Sequence, residues 1–207
     1  MGPRYLAIAG NIGAGKSTLV GFLAKRFGVR PLYEPVGDNP YLEDFYLDMK
    51  TWAFQSQIFY LSRKYALHAE AERTSDRIVL DRSIYEDADI FAEALRARRV
   101  LTGRDYATYR ELYEVIKANV RAPDLMVYLR CSVRGLRRRI KVRGRAMEQA
   151  LPTGYLQRLN KRYDRWFDDY DLGPKAVIET DKLDYLHDLI DRVDLIEQIE
   201  SLLDIKA

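Results

Sequence analysis

The chain has 207 residues, 47% of them hydrophobic and 31% charged. That composition excludes both a disordered polyelectrolyte and a membrane-embedded bundle, and it suits one large domain spanning residues 1–207. No run approaches the ~20 apolar residues of a membrane helix, and the N-terminal MGPRYLAIAG leads into a glycine-rich element instead of a cleavage site. A single cysteine, Cys131, can make neither an internal disulfide nor a zinc cluster, so a cytoplasmic protein is expected. The formal net charge is +3, but it is unevenly placed. Arg130 to Arg145 holds eight basic residues and no acidic one, leaving 26 basic against 31 acidic residues elsewhere. That segment is expected to handle an anion.

In chain order, short apolar runs at Tyr5–Ala9, Val29–Tyr33, Arg77–Leu80, Leu125–Leu129 and Ala176–Ile178 alternate with segments of helical period. The expected helices are Lys16–Phe27, about Thr51–Ala71, Tyr85–Arg98 and Asp105–Asn119. At the C-terminus, Leu183, Leu186, Ile190, Val193 and Ile196 recur at helical spacing. This alternation predicts an α/β protein with a five-stranded parallel sheet flanked by helices.

Gly10-Asn11-Ile12-Gly13-Ala14-Gly15-Lys16-Ser17 fits the phosphate-binding loop G-x-x-x-x-G-K-[ST], with a strand before it and a helix after it. The glycines let backbone N–H groups face a phosphate, Lys16 reaches the outer phosphates, and Ser17 can hold Mg²⁺. Thr18 continues the loop into its helix, and ATP or GTP is the expected ligand. Ile78-Val79-Leu80-Asp81 is an apolar strand ending in a carboxylate suited to organising a metal, and Arg82 stands where ATPase motors usually carry a water-activating glutamate. Transfer to a bound substrate is therefore favoured over hydrolysis. The nearest match to a guanine-reading motif, Asn160-Lys161-Arg162-Tyr163, lacks its aspartate. Glu34, followed by Pro35 at the end of the second expected strand, should emerge at the carboxyl edge of the sheet, beside the loop, where open parallel sheets bind ligands. A carboxylate there suits a general base for a hydroxyl acceptor.

GNIGAGKST, YEPVGDNPYLEDFY, WAFQSQIFYLSRK, LDRSIYEDADIF, RRRIKVRGRAMEQ and LPTGYL occur in this order along nearly the whole chain. Together they resemble the deoxynucleoside kinases, above all the bacterial deoxyadenosine/deoxyguanosine kinase branch. The resemblance implies a homodimer that transfers the γ-phosphate of ATP to a deoxynucleoside 5′-hydroxyl. It implies Glu34 as base, Arg82 as the arginine holding that carboxylate and the hydroxyl, and Asp81 as a magnesium-linked carboxylate where relatives often carry glutamate. It assigns Tyr46 and Glu148 to the sugar 3′-hydroxyl, Gln57 and Asp87 to the base edge, and Phe91 and Trp52 to the walls of the base pocket. It places Lys64 where many relatives use arginine to orient the residue matching Asp87, with Arg63 one position earlier, and it suggests that Tyr60 narrows the pocket. The segment 134–148 resembles the family's lid, in which Arg139, Arg143 and Arg145 would neutralise the transferring phosphoryl group, Arg139 lying near the donor base. Ionised Asp87 only accepts hydrogen bonds, which favours amino-bearing bases over thymine.

Rival expectations are a deoxycytidine-preferring or broad-specificity kinase and a thymidylate-type monophosphate kinase. The latter needs cations near Glu34, yet Glu34 to Asp48 contains five acidic residues and no basic one. An RNA-binding arm at 130–145 leaves Glu34, Gln57 and Asp87 without a role, so neither nucleic acid nor membrane is an expected partner.

Overall fold

In the computed structural model, residues 4–34, 37–181 and 189–203 are described. Five parallel strands, β1 (Tyr5–Ala9), β2 (Arg30–Leu32), β3 (Ile78–Asp81), β4 (Leu125–Arg130) and β5 (Lys175–Glu179), lie in the order β2-β3-β1-β4-β5. The helices are α1 (Lys16–Phe27), α2 (Leu42–Leu47), α3 (Met49–Arg73), α4 (Ile84–Glu86), α5 (Glu93–Ala97), α6 (Gly103–Lys117), α7 (Val133–Arg143), α8 (Ala146–Gln149), α9 (Thr153–Asp169) and α10 (Leu189–Leu203). No described helix is long and apolar enough to cross a membrane.

The period-2 geometry of β1 divides its side chains between two cores. Tyr5, Ala7 and Ala9 join Tyr109 and Tyr113 of α6 and Tyr163 and Phe167 of α9 on one face, while Leu6 and Ile8 meet Leu19 and Leu23 of α1, Leu136 of α7 and Leu195 and Ile199 of α10 on the other. A strand covered on both faces reads as continuously apolar, which is why the middle of the sheet was legible. Pro31 is accommodated because β2 is an edge strand, where a missing N–H breaks no central ladder.

Several boundaries differ from expectation. Asp48 caps α3, its Oδ1 accepting from the N–H groups of Lys50 and Thr51, so the helix starts two residues early. Strand β2 stops at Leu32, two residues before Glu34, and Pro35 lies outside the described residues, as do Leu183 and Leu186. The helix expected over 85–98 is α4 and α5 joined by a π-helical turn, Asp87–Ala92, a device frequent at functional sites. Helix α9 contains the Asn160 to Tyr163 stretch, which has a charged helical pattern, and its buried Tyr155, Leu156, Leu159, Tyr163 and Phe167 repeat at helical spacing.

Helix α7 sits directly on the glycine-rich loop. Gly13 has φ +83°, and a Cβ there would lie 2.8 Å from Cγ1 of Ile140. Asn11 ties the loop to α9 through the Leu156 carbonyl (3.1 Å) and Asn160, whose own amide donates to the Cys131 carbonyl (2.8 Å). Beneath the loop, fully buried Glu86 accepts from the Gly10 N–H (3.2 Å), the Ser83 N–H (2.9 Å) and the Tyr163 hydroxyl (3.0 Å). Gly13→Ala should combine left-handed strain with overpacking and cost about 1–3 kcal/mol. Glu86→Gln should turn an amide NH₂ toward a buried donor and cost about 1–3 kcal/mol. Calorimetry should show each loss as a fall in Tm of roughly 2–4 °C per kcal/mol; an unchanged Tm would contradict the packing described.

Candidate active site

The carboxyl ends of β1, β2 and β3 open into one cavity. Its lining includes Lys16, Ser17, Glu34, Arg82 and Gln57, with Arg143, Arg145 and Glu148 contributed by the cationic segment. Tyr46, Tyr60, Asp87 and Phe91 also face it. Residues far apart in the chain thus converge at the edge where the strand-end argument placed them.

Arg82 adopts φ +65°, unusual for a side chain with a Cβ. Its N–H bonds to the Ile8 carbonyl (3.1 Å), and its own carbonyl accepts from Lys64 Nζ (2.8 Å), which fixes the turn after β3. The guanidinium donates through Nη1 to Glu34 Oε1 (2.9 Å), approaches Glu86 Oε1 (3.7 Å) and lies 4.5 Å from the Phe91 ring centroid. Lys64, wholly buried, reaches Glu34 Oε1 at 3.4 Å and Asp87 Oδ2 at 4.0 Å, and donates weakly to the Asp81 carbonyl (3.4 Å). Arg63 is exposed and lies over the Phe59 ring; Lys64 is the cation that faces the site.

Burial alone would raise the Glu34 carboxyl, but Arg82, Lys64 and Lys16 outweigh it and hold Glu34 well below the usual carboxylate range. Asp87 has the opposite balance. Burial pushes it well above that range, Lys64 and Arg82 oppose the shift, and Glu34 and Glu86 reinforce it. Glu86 is also raised, first by burial, against Arg82, Lys16 and Lys64. Lys16 is lowered to about 8 by burial and Arg82, with Asp81, Glu34 and Glu86 pulling it back. Its ammonium folds onto the Gly10 and Asn11 carbonyls at 2.9 and 3.2 Å.

Ser17 donates to Asp81 Oδ2 at 2.5 Å, while Asp81 Oδ1 is buried with no hydrogen-bond partner among the described residues. A hydroxyl and an uncommitted carboxylate oxygen side by side are the hard oxygen donors that Mg²⁺ takes alongside phosphate and water. The pair therefore fits the metal expected at Ser17 and Asp81.

Not every residue named from the sequence meets the cavity. Trp52 does not line it; its indole stacks on Tyr41 with ring centroids 5.9 Å apart. Arg143 and Arg145 both pair with Glu148, the latter at 3.3 Å, but Arg139 turns away to the Ala14 carbonyl (3.0 Å) and the Thr180 hydroxyl (2.9 Å). The three arginines therefore do not converge. The sequence reading assigned no role to Glu86, although it stands in a motif block, three residues after Ser83 in a capping box. Asn160, which stands in the nearest match to a guanine-reading motif, instead ties the loop to α9 and to Cys131 just after β4.

Residues 6–204 match the family model for deoxynucleoside kinase. The chain is 39% identical over 203 residues to a deoxyguanosine kinase of Lactobacillus acidophilus, covering 94% of this chain and 88% of that protein. It is 34% identical over 200 residues to a deoxyadenosine/deoxycytidine kinase of Bacillus subtilis, covering 96% and 92%. Among solved structures, the deoxyadenosine kinase of M. mycoides with bound dATP superposes with a TM-score of 0.81 at 32% identity, covering 95% of this chain and 98% of that one. Fold, site and sequence agree: the chain belongs to the deoxynucleoside kinase family and is an ATP-dependent phosphotransferase.

Proposed function

We propose that the chain phosphorylates the 5′-hydroxyl of a purine deoxynucleoside, deoxyadenosine or deoxyguanosine, in nucleotide salvage. The observation that carries this reading is Glu34, a largely buried carboxylate fixed by Arg82 and Lys64 in a cavity shared with the phosphate-binding loop. Glu34 accepts the proton of the attacking hydroxyl, and Arg82 orients the carboxylate. Its depressed pKa keeps Glu34 ionised at neutral pH. Gly10 to Thr18 cradle the phosphates, and Lys16 leaves its loop carbonyls for the outer phosphate oxygens. Ser17 and Asp81 hold Mg²⁺, which neutralises phosphate charge when bound.

Segment 134–148 acts as a lid. On closure Arg143 and Arg145 exchange Glu148 for the transferring phosphoryl group, freeing Glu148 to meet the sugar 3′-hydroxyl beside Tyr46. Arg139, anchored to the loop carbonyl, borders the donor nucleotide. Gln57, Asp87 and Phe91 contact the base, Gln57 and Asp87 each carrying a buried oxygen without a partner among the described residues. Relatives named for deoxyadenosine and deoxyguanosine support a purine acceptor. A named deoxyadenosine/deoxycytidine kinase keeps deoxycytidine as the rival. Exposed Leu112 and Val115 on α6 and Tyr65 on α3, two helices that pack together, support a homodimer built along them.

Glu34→Gln should lower kcat by about 10²–10⁴-fold while nucleoside affinity changes far less. Turnover within a few-fold of wild type in a Mg²⁺-ATP assay would reject the base assignment. Light scattering should give the mass of two chains, and Val115→Asp should shift it to that of one; a monomeric wild type would remove the dimer.

A further inference from the structure

Around the turn after β3, and apart from Asp81, which fits a metal, two buried cations, Lys64 and Arg82, form an ion-pair network with three carboxyl groups, buried Glu86 and Asp87 and largely buried Glu34. The lid arginines do not redress this balance, because both are partly exposed and both close on Glu148. Three carboxylates against two cations in a desolvated network favour retention of one proton.

The hydrogen bonds indicate which group keeps it. Glu34 receives Arg82 and Lys64, and Asp81 receives Ser17. Glu86 receives two backbone N–H groups and the Tyr163 hydroxyl. Those contacts all stabilise carboxylates. Asp87 receives none of comparable quality. Its Oδ2 is buried without a hydrogen-bond partner among the described residues, and Lys64 stands 4.0 Å away with its ammonium committed to the Arg82 carbonyl and Glu34. The groups acting on Asp87 are Lys64 from α3, Glu34 beyond β2, Arg82 beyond β3, Glu86 of α4 and the buried Tyr109 of α6.

We propose that Asp87 enters the base pocket as a neutral carboxylic acid whose O–H donates to N7 of a purine. This rests on the kinase reading and names what Asp87 selects. A neutral carboxyl offers one donor and one acceptor. Adenine presents N7 as acceptor and N6–H₂ as donor on one edge, matching both. Guanine presents N7 as acceptor on that edge, whereas on the same edge cytosine offers only its N4–H₂ donor, its N3 acceptor lying on the pairing edge. Neutral Asp87 therefore favours purines through N7, whereas its carboxylate would have nothing to donate. The strong upward displacement of the Asp87 carboxyl agrees with this. It also removes the earlier ground for excluding thymine, since the acid can donate to O4.

The test compares deoxyadenosine with 7-deaza-2′-deoxyadenosine, and deoxyguanosine with its 7-deaza analogue. Each pair differs only in replacing N7 by C–H. The ratio of kcat/KM within a pair cancels pH effects on chemistry common to both substrates. Wild type should prefer the N7-bearing purine by about tenfold at about pH 6, and the preference should fall toward one by about pH 9, as Asp87 loses its proton. In Asp87→Asn, whose amide always has a donor, the ratio should not vary with pH. A wild-type ratio independent of pH overturns the proposal whether or not the variant folds. The substrate-free enzyme should also show a protonated-carboxyl C=O infrared band near neutral pH that is absent from Asp87→Asn; its absence from wild type overturns the proposal. If no deoxynucleoside is phosphorylated, the functional reading fails, and the infrared band still reports the proton separately.

Discussion

The constraint on which the site depends is the burial of Arg82 in a left-handed turn. A guanidinium cannot shed its charge, so the fold must surround it with acceptors. Glu34 from beyond β2 and Glu86 from α4 supply charge, and the Phe91 ring supplies a face. Each comes from a different element, so one buried cation fixes β2, β3 and the π-helical turn relative to one another. Buried ion pairs are poor evidence of stability, because desolvation offsets their attraction. Their effect here is directional: Glu34 is held on one side of Arg82 and the loop-supporting Glu86 on another.

The same economy governs the cationic segment. Arg139 and Arg143 are four residues apart and leave α7 on the same side, yet their heads serve different ends of the site. Gly144, at φ +73°, ends the helix immediately after Arg143 and turns the chain. Arg143 and Arg145 can then reach Glu148, while Arg139 remains one turn back against the loop and Thr180. The base of α7 is held by Ser132 and Asp181, and Gly135 has no room for a side chain between Asp181 and Cys131. The end of α7 thus carries Arg143 to the cavity while its base stays against Asp181.

The sheet, α1 and the phosphate-binding loop were legible because local chemistry dictates them: apolar runs buried on both faces, then glycines where φ is positive. Glu34, Arg82 and Asp87, named from motifs in a specific order along the chain, line one cavity. Trp52 lies outside the cavity lining, and Arg139 does not converge with Arg143 and Arg145, because a motif position does not specify where a side chain points; stacking on Tyr41 and hydrogen bonds to Thr180 decide that. Glu86 escaped because its partners, Gly10 and Tyr163, lie 76 and 77 residues away. Only the folded chain brings a buried carboxylate under that loop.

Lys64 shows how the choice between two cationic residues can change chemistry. An arginine at this place could lay its planar fork across two carboxylates and keep both ionised. An ammonium is a compact charge with three donors, and here the Arg82 carbonyl, the Asp81 carbonyl and Glu34 compete for them. Glu34 lies closer to Lys64 than Asp87 does and also holds Arg82, so it keeps its charge at the expense of Asp87. On the proposed reading, the group that takes the hydroxyl proton stays anionic, while the group assigned to the base becomes able to give one. In this cluster the choice of lysine thus divides two chemically similar carboxyl groups into an acceptor and a donor.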